Sequence, residues 1–93
     1  MLEKEIEQYL VKRAKDLGGR AYKFVSPGNS GVPDRLVCLP GGIVMRAELK
    51  APGKDPRPLQ QSTILQLRMM GVRVYVVHSR EEVDWMLEEM MPE

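Results

Sequence analysis

Glycine and proline cut this chain into pieces too short for most architectures. Gly18-Gly19, Ser26-Pro27-Gly28, Pro40-Gly41-Gly42, the stretch from Ala51 to Pro58, and Gly71 leave room only for short strands and modest helices between them. From Leu2 to Leu17, the residues Leu2, Ile6, Leu10 and Leu17, with Tyr9 and Ala14 beside them, share one helical face that Gly18-Gly19 ends. Arg20 to Val25 alternates as a strand, closed by a turn-forming loop from Ser26 to Gly31. Leu36 to Leu39 and Ile43 to Leu49 read as two more strands around the turn at Pro40-Gly41-Gly42, giving an expected antiparallel meander. Pro52, Pro56 and Pro58 keep the next loop extended, and a helix runs from about Leu59 to Met70. Val72 to Val77, β-branched and almost wholly apolar, is expected to be a central, buried strand. Ser79 and Glu82 have capping-box spacing ahead of a third helix with Val83, Met86, Leu87 and Met90 as its buried stripe. The order is α-β-β-β-α-β-α, one α/β domain over residues 1–93 with no repeat or linker.

Composition narrows what such a domain does. With 93 residues, 43% of them hydrophobic and 29% charged, the chain is near the small end for a self-sufficient core, so pairing with a second copy is expected. The exposed sides of the helices, or the C-terminal helix with Trp85, Met86 and Met90, are the candidate surfaces. A net charge of +1 provides no global basic field, so a polyanion would need a local patch. Lys50, Lys54 and Arg57 form one candidate; Arg13, Lys15, Arg20 and Lys23 form another that reads equally well as an ordinary solvated surface. The single cysteine excludes an internal disulfide and suits a reducing cytoplasm, and Cys38 is expected as a small buried hydrophobe. Without a charged-then-apolar leader or an apolar run approaching ~18 residues, the chain is expected to be neither exported nor membrane-spanning.

The chemistry is concentrated in two short segments. Asp34 stands in Gly31-Val32-Pro33-Asp34-Arg35-Leu36-Val37, and Glu48 and Lys50 in Val44-Met45-Arg46-Ala47-Glu48-Leu49-Lys50. Strand alternation puts Glu48 and Lys50 on one face with Leu49 opposite, and the hairpin brings Asp34 level with the end of the third strand. Two carboxylates, the Leu49 carbonyl and an ammonium make a hard-oxygen pocket suited to a divalent cation and to metal-assisted phosphodiester hydrolysis. The bland alternative is a solvent-exposed ion pair between Glu48 and Lys50. Loops rich in glycine, proline and lysine on both sides argue instead for a walled pocket. The absence of thiolate argues against zinc. His78, at the end of the fourth strand, is expected to pack or cap rather than act as a base.

Pro33-Asp34 followed by Glu48-Leu49-Lys50 resembles the PD-(D/E)xK motif of the restriction-endonuclease-like fold, whose core has the same α-β-β-β-α-β order in a mixed sheet flanked by helices. The longer set Gly31-Val32-Pro33-Asp34, Glu48-Leu49-Lys50-Ala51-Pro52-Gly53 and Leu59-Gln60 resembles the VRR-NUC family, in particular its small stand-alone phage and prophage members. The resemblance covers essentially the whole chain, and implies Asp34 and Glu48 as metal ligands and Lys50 as the residue that positions or deprotonates water. It implies Gln60 as support for Lys50 or a phosphate contact, with Gln61 as the neighbouring alternative. It also implies Glu7 as the first-helix acid, reaching the metal through water, with Glu3 as the alternative one turn earlier. Mg²⁺ is the implied cofactor and Mn²⁺ its substitute. The implied activity is a structure-specific endonuclease acting on branched DNA such as a four-way (Holliday) junction. It would act as a homodimer in the bacterial cytoplasm, encoded by a phage or prophage. A catalytically silent DNA-binding or assembly module, and a flap or restriction-type nuclease, are the competing readings. Retention of Asp34, Glu48 and Lys50 favours catalysis.

Overall fold

A computed structural model describes residues 1–29 and 31–90. Ser30 of the turn-forming loop and the last three positions of the expected domain lie outside them. The element order is the expected one: α1 (Glu3–Asp16), β1 (Arg20–Lys23), β2 (Arg35–Leu39), β3 (Ile43–Leu49), α2 (Pro58–Met69), β4 (Val74–Val77) and α3 (Arg80–Met90). The strands form one mixed sheet in the order β1-β2-β3-β4, antiparallel through β3 and parallel between β3 and β4.

Local chemistry sets the ends of α1. The Glu5 carboxylate accepts the Leu2 backbone N–H at 2.8 Å, and Gly18, at φ 87°, reverses the chain so that the Gly19 N–H reaches the Ala14 carbonyl at 2.8 Å. A side chain at Gly19 would run into the Cys38 carbonyl, so the turn into β1 is possible only with glycine there. Ile6, Leu10 and Ala14 are fully buried at helical spacing. Leu2 departs from the expected stripe: it precedes the first helical turn as the N-cap and is 68% exposed.

The main core lies between the sheet and the pair α1 and α3. Val37, Leu39, Met45, Ala47 and Leu49 face Ile6, Leu10, Val83, Met86 and Leu87 there. Met86 is therefore core, not part of an exposed C-terminal face, whereas Trp85 lies outside, edge-on to Tyr75 at 6.0 Å. Asp84 ties the two helices together, accepting the Tyr9 hydroxyl at 2.7 Å and the Arg13 Nε–H at 3.2 Å. That places Arg13 of the second basic cluster in an internal ion pair.

The position of β4 corrects the sequence expectation. It is an edge strand, not a central one. Its apolar character comes from cover on both faces: Tyr75 and Val77 join the α1/α3 core, while Val74 and Val76, in register with Arg46 and Glu48, lie on the α2 side. Its open edge is closed in part by Arg68 of α2, whose Nε and Nη2 both donate to the Val74 carbonyl, at 3.2 and 2.8 Å. At the start of α3, Ser79 Oγ accepts the Glu82 N–H at 3.1 Å, but the Glu82 carboxylate reaches back past Ser79 to the N–H of His78 at 2.6 Å. His78 is thus a strand-end residue whose own N–H is held by Glu82, while Ser79 does the capping. Among the described residues no helix is long and apolar enough to cross a membrane.

Candidate active site

The site is built on the last turn of the β2–β3 register. Arg35 pairs with Ala47, so one further step puts Asp34 opposite Glu48, both on the face that looks away from the main core. α2 covers this face, and Glu48 is 1% exposed, an unusual burial for a carboxylate. Gln60, in the first turn of α2, donates from Nε2 to Glu48 Oε2 at 3.0 Å. Lys50 Nζ lies 3.4 Å from the same oxygen. The other oxygen, Oε1, is buried and has no hydrogen-bond partner.

An orphaned carboxylate oxygen in such a place carries a cost, and its electrostatics register it. Burial pushes the Glu48 pKa up and the neighbouring Asp34 charge adds to that; Lys50 and the Asp34 backbone amide oppose them. A divalent cation would satisfy Oε1 and relieve the repulsion between the acids. Among the described residues no three of His, Cys, Asp and Glu come together, so any such ion would rest on two carboxylates. The remaining ligands would be carbonyl and water, a set that fits a hard cation that keeps much of its hydration.

The strand pattern supplies that carbonyl. Arg46 donates its N–H to the carbonyl of Arg73, just before β4, and Lys50 donates to that of Val77 in β4, so the backbone groups of Ala47 and Leu49 turn toward β2. Opposite Leu49 the continued register reaches Pro33, which has no N–H to give. The ladder therefore has no donor for the Leu49 carbonyl at the point where the acids meet.

Comparison with known proteins bears on the fold and the family. No protein-family model matches the chain. It is 48% identical over 79 residues to "Putative nuclease p44" of Acyrthosiphon pisum secondary endosymbiont phage 1, covering 85% of each protein. A solved structure described as a VRR_NUC domain superposes with a TM-score of 0.88 at 32% identity, over 98% of this chain and all of that one. The chain belongs to the VRR_NUC domain family.

Within this VRR_NUC site the structure brings together Asp34, Glu48, Lys50 and Gln60. It also distinguishes Gln60 from Gln61. Pro58 opens α2, Gln60 Oε1 accepts the Arg57 N–H at 3.0 Å, and that phase turns Gln60 inward; Gln61 is exposed and caps the Pro56 carbonyl. Glu7 is held apart. Its carboxylate pairs with Arg35 at 3.2 Å, and Arg35 also donates to the Ala21 carbonyl at 3.0 Å. Arg35 follows Asp34 by one position, so the two point to opposite faces, and Glu7 sits on the α1 side of the sheet. The structure therefore does not bring Glu7 to the two acids: α1 packs on the other face of the sheet, and the Arg35 guanidinium already pairs with the Glu7 carboxylate. Glu3 is exposed at the start of α1. Lys54 and Arg57 stand exposed on the loop that leads from Lys50 into α2. One polar residue on this face escaped the sequence reading: Arg46, two positions before Glu48, detectable in principle by the same alternation.

Proposed function

We propose that this VRR_NUC chain is a metal-dependent endonuclease that hydrolyses phosphodiester bonds in branched DNA, four-way junctions foremost. The observation that carries the reading is the buried, unpartnered Oε1 of Glu48 beside Asp34, with Gln60 and Lys50 gathered on Oε2. A fold with no catalytic task has little reason to bury a carboxylate in that state. The phage relative that bears the name "Putative nuclease p44" and the VRR_NUC fold support the same chemistry.

Asp34, Glu48 and the Leu49 carbonyl would hold Mg²⁺, with Mn²⁺ able to substitute; the ion would neutralise phosphate charge and acidify a bound water. Gln60 holds Oε2 of Glu48 and so leaves Oε1 aimed into the site. Lys50, 16% exposed and next to Glu48, is placed to orient or deprotonate the attacking water and to offset charge that develops on the phosphate. Lys54 and Arg57 line the approach for the DNA backbone. Phosphate contacts of this kind read shape rather than sequence, which suits a branched substrate. Two copies related by a twofold axis would place paired nicks symmetrically across a junction. The working site is the bacterial cytoplasm, with a phage or prophage as the source, in keeping with the phage relative.

The test is cleavage of a labelled four-way junction beside linear duplex, flap and single strand, with Mg²⁺, Mn²⁺ or chelator, for wild type and Asp34→Asn. Paired junction nicks that need metal and Asp34 would support the reading. Cleavage of flap or duplex at the same rate would keep the chemistry and remove the substrate claim. Junction binding without cleavage would favour the silent binding module. Light scattering at tens of micromolar protein checks the dimer, which a monomer mass would remove.

A further inference from the structure

Arg46 occupies a position where an apolar residue would be simpler. It sits on β3 on the face of Glu48, partly buried, and no carboxylate pairs with it among the ion pairs of the described residues. Its Nε is buried without a partner. Desolvating a guanidinium without an anion is unfavourable, so its contacts need a reason.

Those contacts converge on one residue. Arg46 Nη2 donates to the Pro33 carbonyl at 3.1 Å. The guanidinium carbon lies 4.0 Å from the centroid of the Phe24 ring, a cation–π contact. Phe24 in turn donates its backbone N–H to the Asp34 carbonyl at 2.7 Å. The Pro33 and Asp34 carbonyls belong to the two peptide units on either side of the Asp34 Cα. Both are therefore held, one by Arg46 and one by Phe24, and the stack joins the two holders. This matters because Asp34 lies just outside β2, where the regular ladder no longer fixes the backbone.

We infer that Arg46 is a positioning residue for Asp34: with Phe24 it forms a stacked clamp across the Pro33–Asp34 backbone that sets how the two site carboxylates face each other. The inference rests on the nuclease reading for its catalytic consequence, but not for the clamp itself. An arginine is required because a planar guanidinium bonds a carbonyl at its edge while stacking through its face; a lysine does one or the other. Misplacing a group at a reacting centre by about 1 Å costs on the order of 100-fold in rate.

The test compares wild type with Arg46→Met, Arg46→Lys and Phe24→Leu. The clamp predicts that Arg46→Met and Phe24→Leu each lower kcat on a labelled junction about 10- to 100-fold while KM stays within about twofold. Arg46→Lys should recover little of that loss. In the metal-free protein, hydrogen exchange at the Phe24 amide should quicken about 10-fold in Arg46→Met, with the Val37 and Met45 amides unchanged. An unchanged kcat, or a loss carried by KM, which would mark a direct phosphate contact, overturns the inference. So does unchanged exchange at Phe24. If wild type cuts no DNA at all, the nuclease reading fails and the exchange result alone still decides the clamp. Should Arg46→Met not fold, Phe24→Leu breaks the same stack from its other side.

Discussion

The two faces of the sheet follow different physical rules. Against α1 and α3 every inward residue of β2 and β3 except Arg35 is apolar, and the core residues there are fully or almost fully buried. On the α2 side β3 presents Arg46 and Glu48, with Lys50 just beyond its end, beside the apolar Leu36 and Val44, and α2 contributes a buried glutamine and only one buried aliphatic residue, Ile64. The first face supplies stability; the second leaves Glu48 Oε1 and Arg46 Nε buried without partners, which the proposed chemistry would account for. A small domain tolerates that second face because the first is complete without it.

Substitutions at the acids should break this division most sharply. Under the proposed function, Glu48→Gln is expected to lower junction cleavage by ~1000-fold or more, since it removes a charge that would hold the metal, while its melting temperature holds or rises by a few degrees. A loss of stability along with activity would show that Glu48 serves the fold as well. The opposite result belongs to the other face: Leu10→Ala should cost about 2–5 kcal/mol in urea unfolding through transfer and cavity terms. Any fall in its activity should follow the folded fraction, and a larger fall would blur the division.

A pH series sharpens the same contrast. A carboxyl whose pKa is higher in the folded than in the unfolded chain binds more protons when folded. Metal-free stability should therefore fall as pH rises from the ordinary carboxylate range through the raised value of Glu48. Thermal melts of wild type and Glu48→Gln across that window check it; parallel curves would mean that Glu48 ionises without penalty. A smaller effect is expected from Asp84→Asn, which weakens the tie between α1 and α3. It should lower the melting temperature by a few degrees with kcat intact. The least is expected of Gln61→Ala, within about 0.5 kcal/mol and with normal cleavage, whereas Gln60→Ala should reduce cleavage; equal effects would place the wrong glutamine in the site.

How far the sequence revealed the molecule depended on the kind of evidence each residue offered. Period-2 alternation at Glu48, Leu49 and Lys50 was enough to set their faces, because a strand allows no other arrangement. The same rule, applied to Arg46, would have placed it beside Glu48, but its partners Phe24 and the Pro33 carbonyl come from distant parts of the chain. β4 misled for a related reason. An apolar run reports cover on both faces, and helices provide that cover at an edge as well as neighbouring strands do in the centre. Glu7 met the helical criteria for facing the sheet and did face it, yet the side of the sheet on which α1 packs was not written in the α1 stripe.

The sequence alone determined the order of elements, the pairing of Asp34 with Glu48 and Lys50, and the family to which those residues belong. These follow from local periodicity, turn chemistry and short-range spacing. Only the tertiary structure decided that β4 is an edge, that Gln60 and not Gln61 enters the site, that Glu7 is held by Arg35, and that Glu48 keeps one oxygen unpartnered. Each of those depends on which face a helix covers and in what phase, and that is set by packing among segments far apart in the chain.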